Sequence, residues 1–568
     1  MNPGSDKGAT MSNNQKLELT WIGKDQQPRL EPRILIEDPS KSYGDKNTDN
    51  MLIFGDNLLA LKALEQNYAS KIKCVYIDPP YNTGSAFEHY DDGLEHSVWL
   101  SLLRDRIVIL QKLLCDSGVA FVQIDDNEHA YLKVIMDEIF GRKNFISTIV
   151  WQKKYAVKSD SEFISDSHEY ILVFAKNREF AKMNRFPRTD EQDARYKNLD
   201  NDPRGLWTSG PLQRNEAREY AIFPIVSPLT GKEHWPPKGT SWRFTKDKID
   251  ELINDNRIYF GPDGKNVPRL KRFLSEVSQT VPPTTWWDYK NFGHNDEAKR
   301  ESKALVGDNE TVFATPKPER LIKAIIEVGS SKGDLVLDSF LGSGTTAAVA
   351  HKMGRKWIGI ELGEHCHTHC IPRLRKVVDG SDQGGISKAV NWKGGGGFKY
   401  YYLAPSLLNE DKHGNWVISK EYNPQMLAAA MAKHEGFKYS PDESCYWKQG
   451  YSTERDFIFT ITNFVNVELL DRIHEEMRPG ESLLICCKAF QDACDGRYDN
   501  ITIKKIPNML LGRCEFGRED YSLNIVNVPV EAEPESGSEM EPELTPVIED
   551  EEGESAEEQL GLFDKEDR

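Results

Sequence analysis

The sequence contains no apolar run of membrane length and no secretory leader, so it reads as a cytoplasmic chain. Cysteine is sparse: nine residues, an odd number without a CxxC pair, exclude a disulfide framework and favour reduced thiols. Cys366, His369 and Cys370 would share one helical face, but no fourth ligand accompanies them, so a packed helix is expected there and no metal. Excess positive charge is also lacking. The net charge of −18 is unlike that of a nucleic-acid binder, but its distribution is uneven. From Glu531 onward there are about 16 acidic and 2 basic residues, so the body carries only about −4. Residues 181–300 hold about 21 basic and 17 acidic residues, a local excess of roughly +4.

The most informative stretch is Val75-Tyr76-Ile77-Asp78-Pro79-Pro80-Tyr81-Asn82. A β-branched apolar run closed by prolines reads as a buried strand ending in a rigid turn, which holds Asp78 and Tyr81 at the strand's carboxyl edge. In open α/β sheets ligands sit at that edge. The turn suits methyl transfer to an amino group on an aromatic ring, whose delocalised lone pair makes it a poor nucleophile. Such a nitrogen needs acceptors for its hydrogens where charge develops. The Asp78 carboxylate and the Pro79 carbonyl supply them, Pro79 and Pro80 fix the backbone, and Tyr81 offers a flat face for stacking. DPPY resembles the catalytic motif of amino-methylating DNA methyltransferases, in the Asp form typical of adenine N6 enzymes; Ser in its place would favour cytosine N4. By itself an Asp-Pro-Pro turn is also an ordinary loop.

The second half of the argument lies downstream. The strand Leu335–Asp338 leads into Ser339-Phe340-Leu341-Gly342-Ser343-Gly344-Thr345-Thr346, which opens a helix running through His351. Glycines in a strand-to-helix turn let backbone approach a ligand and aim helix amides at it. No Lys follows them, which excludes a phosphate-binding P-loop. The next strand, Trp357–Ile360, ends in Glu361, an acid placed to bind ribose hydroxyls as in dinucleotide folds.

Strands and helices alternate around both motifs: strands at Met51–Phe54, Val119–Ile124, Thr148–Trp151 and Tyr170–Ala175, helices at Asn57–Leu64, Trp99–Leu114, Ala130–Phe140 and Arg320–Val328. That order predicts a doubly wound, Rossmann-like parallel sheet. Asp56 is either a helix N-cap or an acid facing the cofactor, and both roles are compatible. The expected organisation is an N-terminal arm (1–47, with a strand-like piece at Leu17–Ile22), a catalytic half (48–180), an insert (181–305), a cofactor half (306–380), a Gly-rich flexible linker (381–397), a C-terminal α/β domain (398–530) and a disordered acidic tail (531–568). The insert holds Trp207, Trp235, Trp242, Trp286 and Trp287 interleaved with bases such as Arg269, Lys271 and Arg272, a composition suited to DNA. Most of these Trp residues are expected in a small core of the insert itself. Cys486-Cys487 reads as strand core.

The PKPE helix, DSFLGSGTT and GIE resemble the S-adenosyl-L-methionine site of the same methyltransferases. That resemblance places Phe340, Gly342, Gly344 and Thr345 along the cofactor, Asp338 near its methionine end, Glu361 on its ribose and Asp56 facing it. DPPY before the glycine loop, with a recognition segment between, is the order of the β class. Ser339 and Leu341 depart from the Ala and Pro of many members. Over roughly residues 15–530, through FGDNLLALKAL, YIDPPYNTGSAFEHYDD and WQKKY, the chain is similar to the Mod subunits of Type III restriction-modification systems. The resemblance implies methylation of adenine N6 in duplex DNA by base flipping, a homodimer and pairing with a helicase-nuclease restriction subunit. Neither nuclease nor helicase motifs occur here, so cleavage belongs to another chain. Gln559, Leu560, Leu562 and Phe563, an apolar island on the acidic tail, resemble the peptide by which bacterial proteins dock on the polymerase sliding clamp.

Overall fold

A computed structural model describes residues 18–81, 92–156, 163–305, 313 and 315–521. Eleven strands form one sheet. In chain order they are β1 (Leu35–Glu37), β2 (Tyr43–Gly44), β3 (Met51–Phe54), β4 (Ile72–Ile77), β5 (Leu114–Ile124), β6 (Phe145–Gln152), β7 (His168–Ala175), β8 (Trp286–Trp287), β9 (Leu335–Asp338), β10 (Lys356–Glu361) and β11 (Gly397–Leu403). Their spatial order is β1-β11-β3-β10-β9-β4-β5-β7-β6-β8, with β2 also on β11. The run from β11 to β5 is parallel. β7 lies antiparallel between β5 and β6.

The side chains of β4 alternate between the two faces, as a period of two requires: Cys74 and Tyr76 join one apolar cluster, Val75 and Ile77 the other. Helices α1 (Asn57–Tyr68), α2 (Asp92–Leu113) and α3 (His129–Met136) cover one face through Leu58, Leu103 and Leu132. Helices α4 (Glu319–Gly329), α5 (Thr345–Lys352) and α6 (Ile371–Asp379) cover the other through Ile325, Val349 and Leu374. Each such side chain, once buried, contributes about 1.5–3 kcal/mol, so the doubly wound form follows from where the apolar stripes fall.

From β4 the chain winds through α2 to β5, away from β9. From β9 it winds through α5 to β10, in the opposite direction. β4 and β9 are themselves neighbours, with Cys74 beside Val336 and Val75 beside Leu337. The sheet's switch point therefore lies between the strand that ends in Asp78 and the strand that ends in Asp338, where open α/β sheets bind ligands.

Four expectations are corrected. Residues 18–22 form no strand; they pack on the core, where the Leu19 amide donates to Glu138 (2.7 Å) and the Trp21 indole to Ser101 (2.8 Å). The segment 381–397 is not a flexible joint. Its Trp392 indole donates to Val377 O at 2.8 Å and Asp382 pairs with buried Lys352 at 2.7 Å. A Cβ on Gly44 would come within 2.4 Å of Gly396 O, so the glycines here permit close backbone packing. The sheet does not stop before residue 398, because Gly397–Leu403 is β11. The insert likewise rejoins the sheet through β8, so Trp287 belongs to the central core and not to the insert's own.

Beyond β11, a smaller five-stranded sheet contains Asp456–Ile461 and Ser482–Cys487, parallel and joined by the helix Val467–Glu476. Cys486 and Cys487 are buried in it. The chain then returns to the main core: the Tyr521 amide donates to Asp56 at 3.0 Å.

The insert has its own small core around Leu212, Ile225, Trp242 and Phe260. Trp207 and Trp242 are buried, whereas Trp235 (57%) and Trp286 (56%) are exposed. Of the three bases singled out as DNA contacts, Arg269 and Arg272 are exposed on the strand Arg269–Phe273. Lys271 is not available to DNA. Its side chain is fully buried, pairs with Asp202 at 2.9 Å and with Asp200, and lies 5.6 Å from the Trp207 ring. Arg204 first, then Lys271, hold the Asp202 carboxyl well below the usual range. Lys271→Met is accordingly expected to cost about 1–3 kcal/mol, since it takes one of two cations from buried Asp202 while Arg204 stays paired with it at 2.9 Å. Denaturant unfolding should register that loss, while Arg269→Ala and Arg272→Ala leave stability within about 0.5 kcal/mol.

Candidate active site

Asp78 follows β4 directly, and its side chain keeps 21% of its surface exposed at the sheet's carboxyl edge. The Trp99 indole of α2 donates to Pro80 O at 2.8 Å and pins the turn. One Asp78 oxygen accepts the Tyr81 hydroxyl at 2.7 Å; the other pairs with Lys317 Nζ at 3.0 Å. Both partners reach a second acid, Glu169 on β7: Tyr81 OH lies 3.0 Å and Lys317 Nζ 3.5 Å from its Oε2. Burial, with Glu169 adding to it, keeps the Asp78 carboxyl above its usual range despite Lys317 and Tyr81. Burial also works to raise Glu169, but Lys317 and Lys153 outweigh it and hold that carboxyl low.

Across the switch point, β9 ends in buried Asp338, which accepts the Phe340 amide at 2.9 Å. Burial pushes its carboxyl up to about 7. Gly342 (φ +55°) and Gly344 (φ +79°) adopt left-handed backbone, and a Cβ on Gly342 would come 3.2 Å from the Phe313 ring. The Gly342 amide donates to Glu361 at 2.6 Å, and the amides of Leu362 and Gly363 donate to the other oxygen of the same carboxylate. Cys370 Sγ donates to Gly342 O at 3.1 Å, the observed role of a cysteine considered as a metal ligand. The Thr345 hydroxyl is held by Arg373 (2.8 Å) and Ser343 (3.0 Å), so it braces the helix start.

Asp56 is the N-cap of α1, accepting the Leu59 amide at 2.9 Å. Its carboxylate also faces Arg106 at 3.4 Å. The neighbouring Asn57 side chain donates to Ser339 O at 2.8 Å, which ties α1 to the glycine loop.

The acids Asp78, Asp338, Glu361 and Glu169 converge on this edge, with Lys317 set between Asp78 and Glu169. A buried, cation-poor carboxylate beside left-handed glycines suits a ligand that carries positive charge and lies against backbone. Ser339 Oγ, buried without a hydrogen-bond partner among the described residues, offers a further polar contact. These residues fit a sulfonium-bearing nucleoside.

Residues 72–371, which span both motifs and the insert, match the family model described as DNA methylase. The chain belongs to that family. The chain is 35% identical to the probable type III restriction-modification enzyme HindVI Mod subunit of Haemophilus influenzae, over 63% of this chain and 54% of that protein. It is 34% identical to the StyLTI Mod subunit of Salmonella typhimurium, over 58% and 55% respectively. It is 30% identical to the Type II methyltransferase M.KpnI of Klebsiella pneumoniae, over 54% and 77%. The chain thus spans about half the length of these two Mod subunits.

Two residues of this candidate site escape a reading of the sequence. Glu169 sits in the apolar strand HEYILVFA, and Lys317 lies in the PKPE stretch that introduces α4. The one available signal for Glu169 was an acid inside an otherwise apolar run. Residues 82–91 beyond Tyr81 lie outside the described residues, as do the acidic tail and the Gln559–Phe563 peptide.

Proposed function

We propose that this chain transfers a methyl group from S-adenosyl-L-methionine to adenine N6 in duplex DNA. The observation that carries the reading is Asp78 placed at the end of β4, beside the glycine loop of β9 at the switch point. A base in a duplex must leave the stack to reach this edge. Asp78 and the Pro79 carbonyl then accept the amino hydrogens and stabilise charge as it builds on nitrogen, and the preorganised turn limits reorganisation. The nucleoside cofactor supplies an electrophilic methyl on a sulfonium. Asp338, Phe340, Gly342, Gly344 and Glu361 hold it, with Thr345 and Asp56 bracing the loop and the first helix. Exposed Arg269 and Arg272, with Trp235 and Trp286, present cations and rings for DNA contact.

The Mod subunits among the relatives support a modification role in restriction or phage defence, with a separate restriction subunit as partner; a homodimer as the working form is part of the proposal. Docking of the Gln559–Phe563 peptide on a sliding clamp belongs to the same proposal. Single-molecule sequencing of DNA from a methylation-free host expressing this chain tests it. The expected result is N6-methyladenine at one recurring motif. N4-methylcytosine would overturn the choice of base, and unmodified DNA alongside folded, cofactor-binding protein would overturn self-sufficient catalysis.

A further inference from the structure

Lys317 and the Tyr81 hydroxyl each bridge the same two carboxylates, Asp78 and Glu169. Glu169 is itself held from behind: Gln123 Nε2 donates to it at 2.5 Å, Lys153 lies 3.5 Å away, and the Tyr76 hydroxyl fixes Gln123 at 2.8 Å. The side chains of Lys317 and Glu169 are 9% and 5% exposed. Replacing a buried ionic cluster by apolar residues of similar volume is often neutral or stabilising. Stability alone therefore gives no reason for an acid in the middle of the β5–β7–β6 layer. What the cluster does accomplish is to fix the orientation of both Asp78 oxygens.

We propose that Glu169 and Lys317 are positioning residues for Asp78: Glu169 anchors the ammonium and the phenol that in turn fix the two oxygens of the acceptor carboxylate. This rests on the methyl-transfer reading of the same site. The charged and titratable groups facing Asp78 are Lys317 from the segment before α4, Glu169 from β7, Tyr81 from the turn, Tyr76 from β4 and Asp338 from β9. Lys153 of β6 faces Glu169 from the far side. Glu169 thus repels the Asp78 carboxylate while Lys317 attracts it, and the two neighbours bias its protonation in opposite senses. Asp78 is the stronger, charged acceptor only as carboxylate, so the acid limb of the pH–rate profile reports that balance.

The test compares full-length wild type with Glu169→Gln, Lys317→Met and Lys317→Arg. It measures tritiated methyl transfer from S-adenosyl-L-methionine to DNA of a methylation-free host across pH. Both neutralising variants are expected to lose on the order of a hundredfold in kcat, the cost of a misplaced acceptor, with cofactor and DNA affinity retained. The acid limb should move to lower pH in Glu169→Gln, which removes a repulsion, and to higher pH in Lys317→Met, which removes an attraction. Lys317→Arg should recover most of the rate and keep the wild-type limb. Limbs that coincide with wild type, or move in the same direction, overturn the proposal. If a single variant unfolds, the double variant Glu169→Gln/Lys317→Met, which strands neither member of the pair, decides the matter. A reduced rate with intact cofactor affinity supports the proposal, and a wild-type rate overturns it. Wild type that yields no N6-methyladenine overturns the underlying methyl-transfer reading instead, so the two failures are distinct.

Discussion

Asp78→Ala is expected to abolish methyl transfer, with a fall of at least about a hundred- to a thousandfold in kcat, the scale of removing one preorganised group from a site of developing charge. Cofactor and DNA binding should survive. Asp78 is not part of the glycine loop, and the turn that carries it is pinned independently by Trp99 on Pro80 O. Its loss leaves Lys317 paired with Glu169, and Tyr81 still has Glu169 as acceptor, so no buried cation is stranded. Asp78→Asn should fall between wild type and Ala, because the amide oxygen still accepts one hydrogen but carries no charge. Equilibrium binding of the cofactor and of unmethylated DNA, measured beside single-turnover methyl transfer, separates catalyst from binding module. Methylation that persists in Asp78→Ala would sink the role given to this carboxylate.

Much of this site was legible because its chemistry is written in short local runs. VYIDPPY and LVLDSFLGSG each combine a buried strand with a rigid or glycine-bearing turn, and both turns lie at the carboxyl edge. Their adjacency across roughly 260 residues of chain followed only from the fold order. The failures share one cause, which is that side-chain direction is invisible in composition. Arg269-Leu270-Lys271-Arg272 looks like a cationic patch, but pleating sets Lys271 opposite Arg272 and two aspartates hold it inward, while Arg269, at the strand's start, and Arg272 stay exposed. The glycines at 394–396 look like a loose joint, but Gly380 approaches Gly394 and Gly44 approaches Gly396 so closely that these two read better as packing residues. Glu169 and Lys317 were missed because each acquires meaning only from the other and from Asp78, on three separate segments.

Asp338 yields a second large effect, on cofactor affinity. Burial raises its carboxyl to about 7, with Thr346 and the Phe340 amide pulling it down and the charges of Asp78 and Glu361 pushing it up. In the free protein it is therefore protonated well below that pH and ionised well above it. A cationic ligand set against it favours the ionised form. Binding at low pH must then expel a proton, and affinity for S-adenosyl-L-methionine should weaken as pH falls through about 7, approaching about tenfold per pH unit below it. The ligand's own α-amino group, which titrates at roughly 7.7–8.0 in model compounds, acts in the opposite sense, because its ammonium form prevails at low pH. Asp338→Asn separates the two, since it removes the protein's proton and leaves the ligand's. That variant should bind about ten- to a hundredfold more weakly above neutral pH, the worth of one charge-assisted contact, and should lose the dependence below pH 7. Calorimetry at about pH 6 and about pH 8 in buffers of different ionisation enthalpy counts the released proton directly. An unchanged pH dependence in Asp338→Asn would remove Asp338 from the cofactor's charged end and assign the titration to another group of the protein.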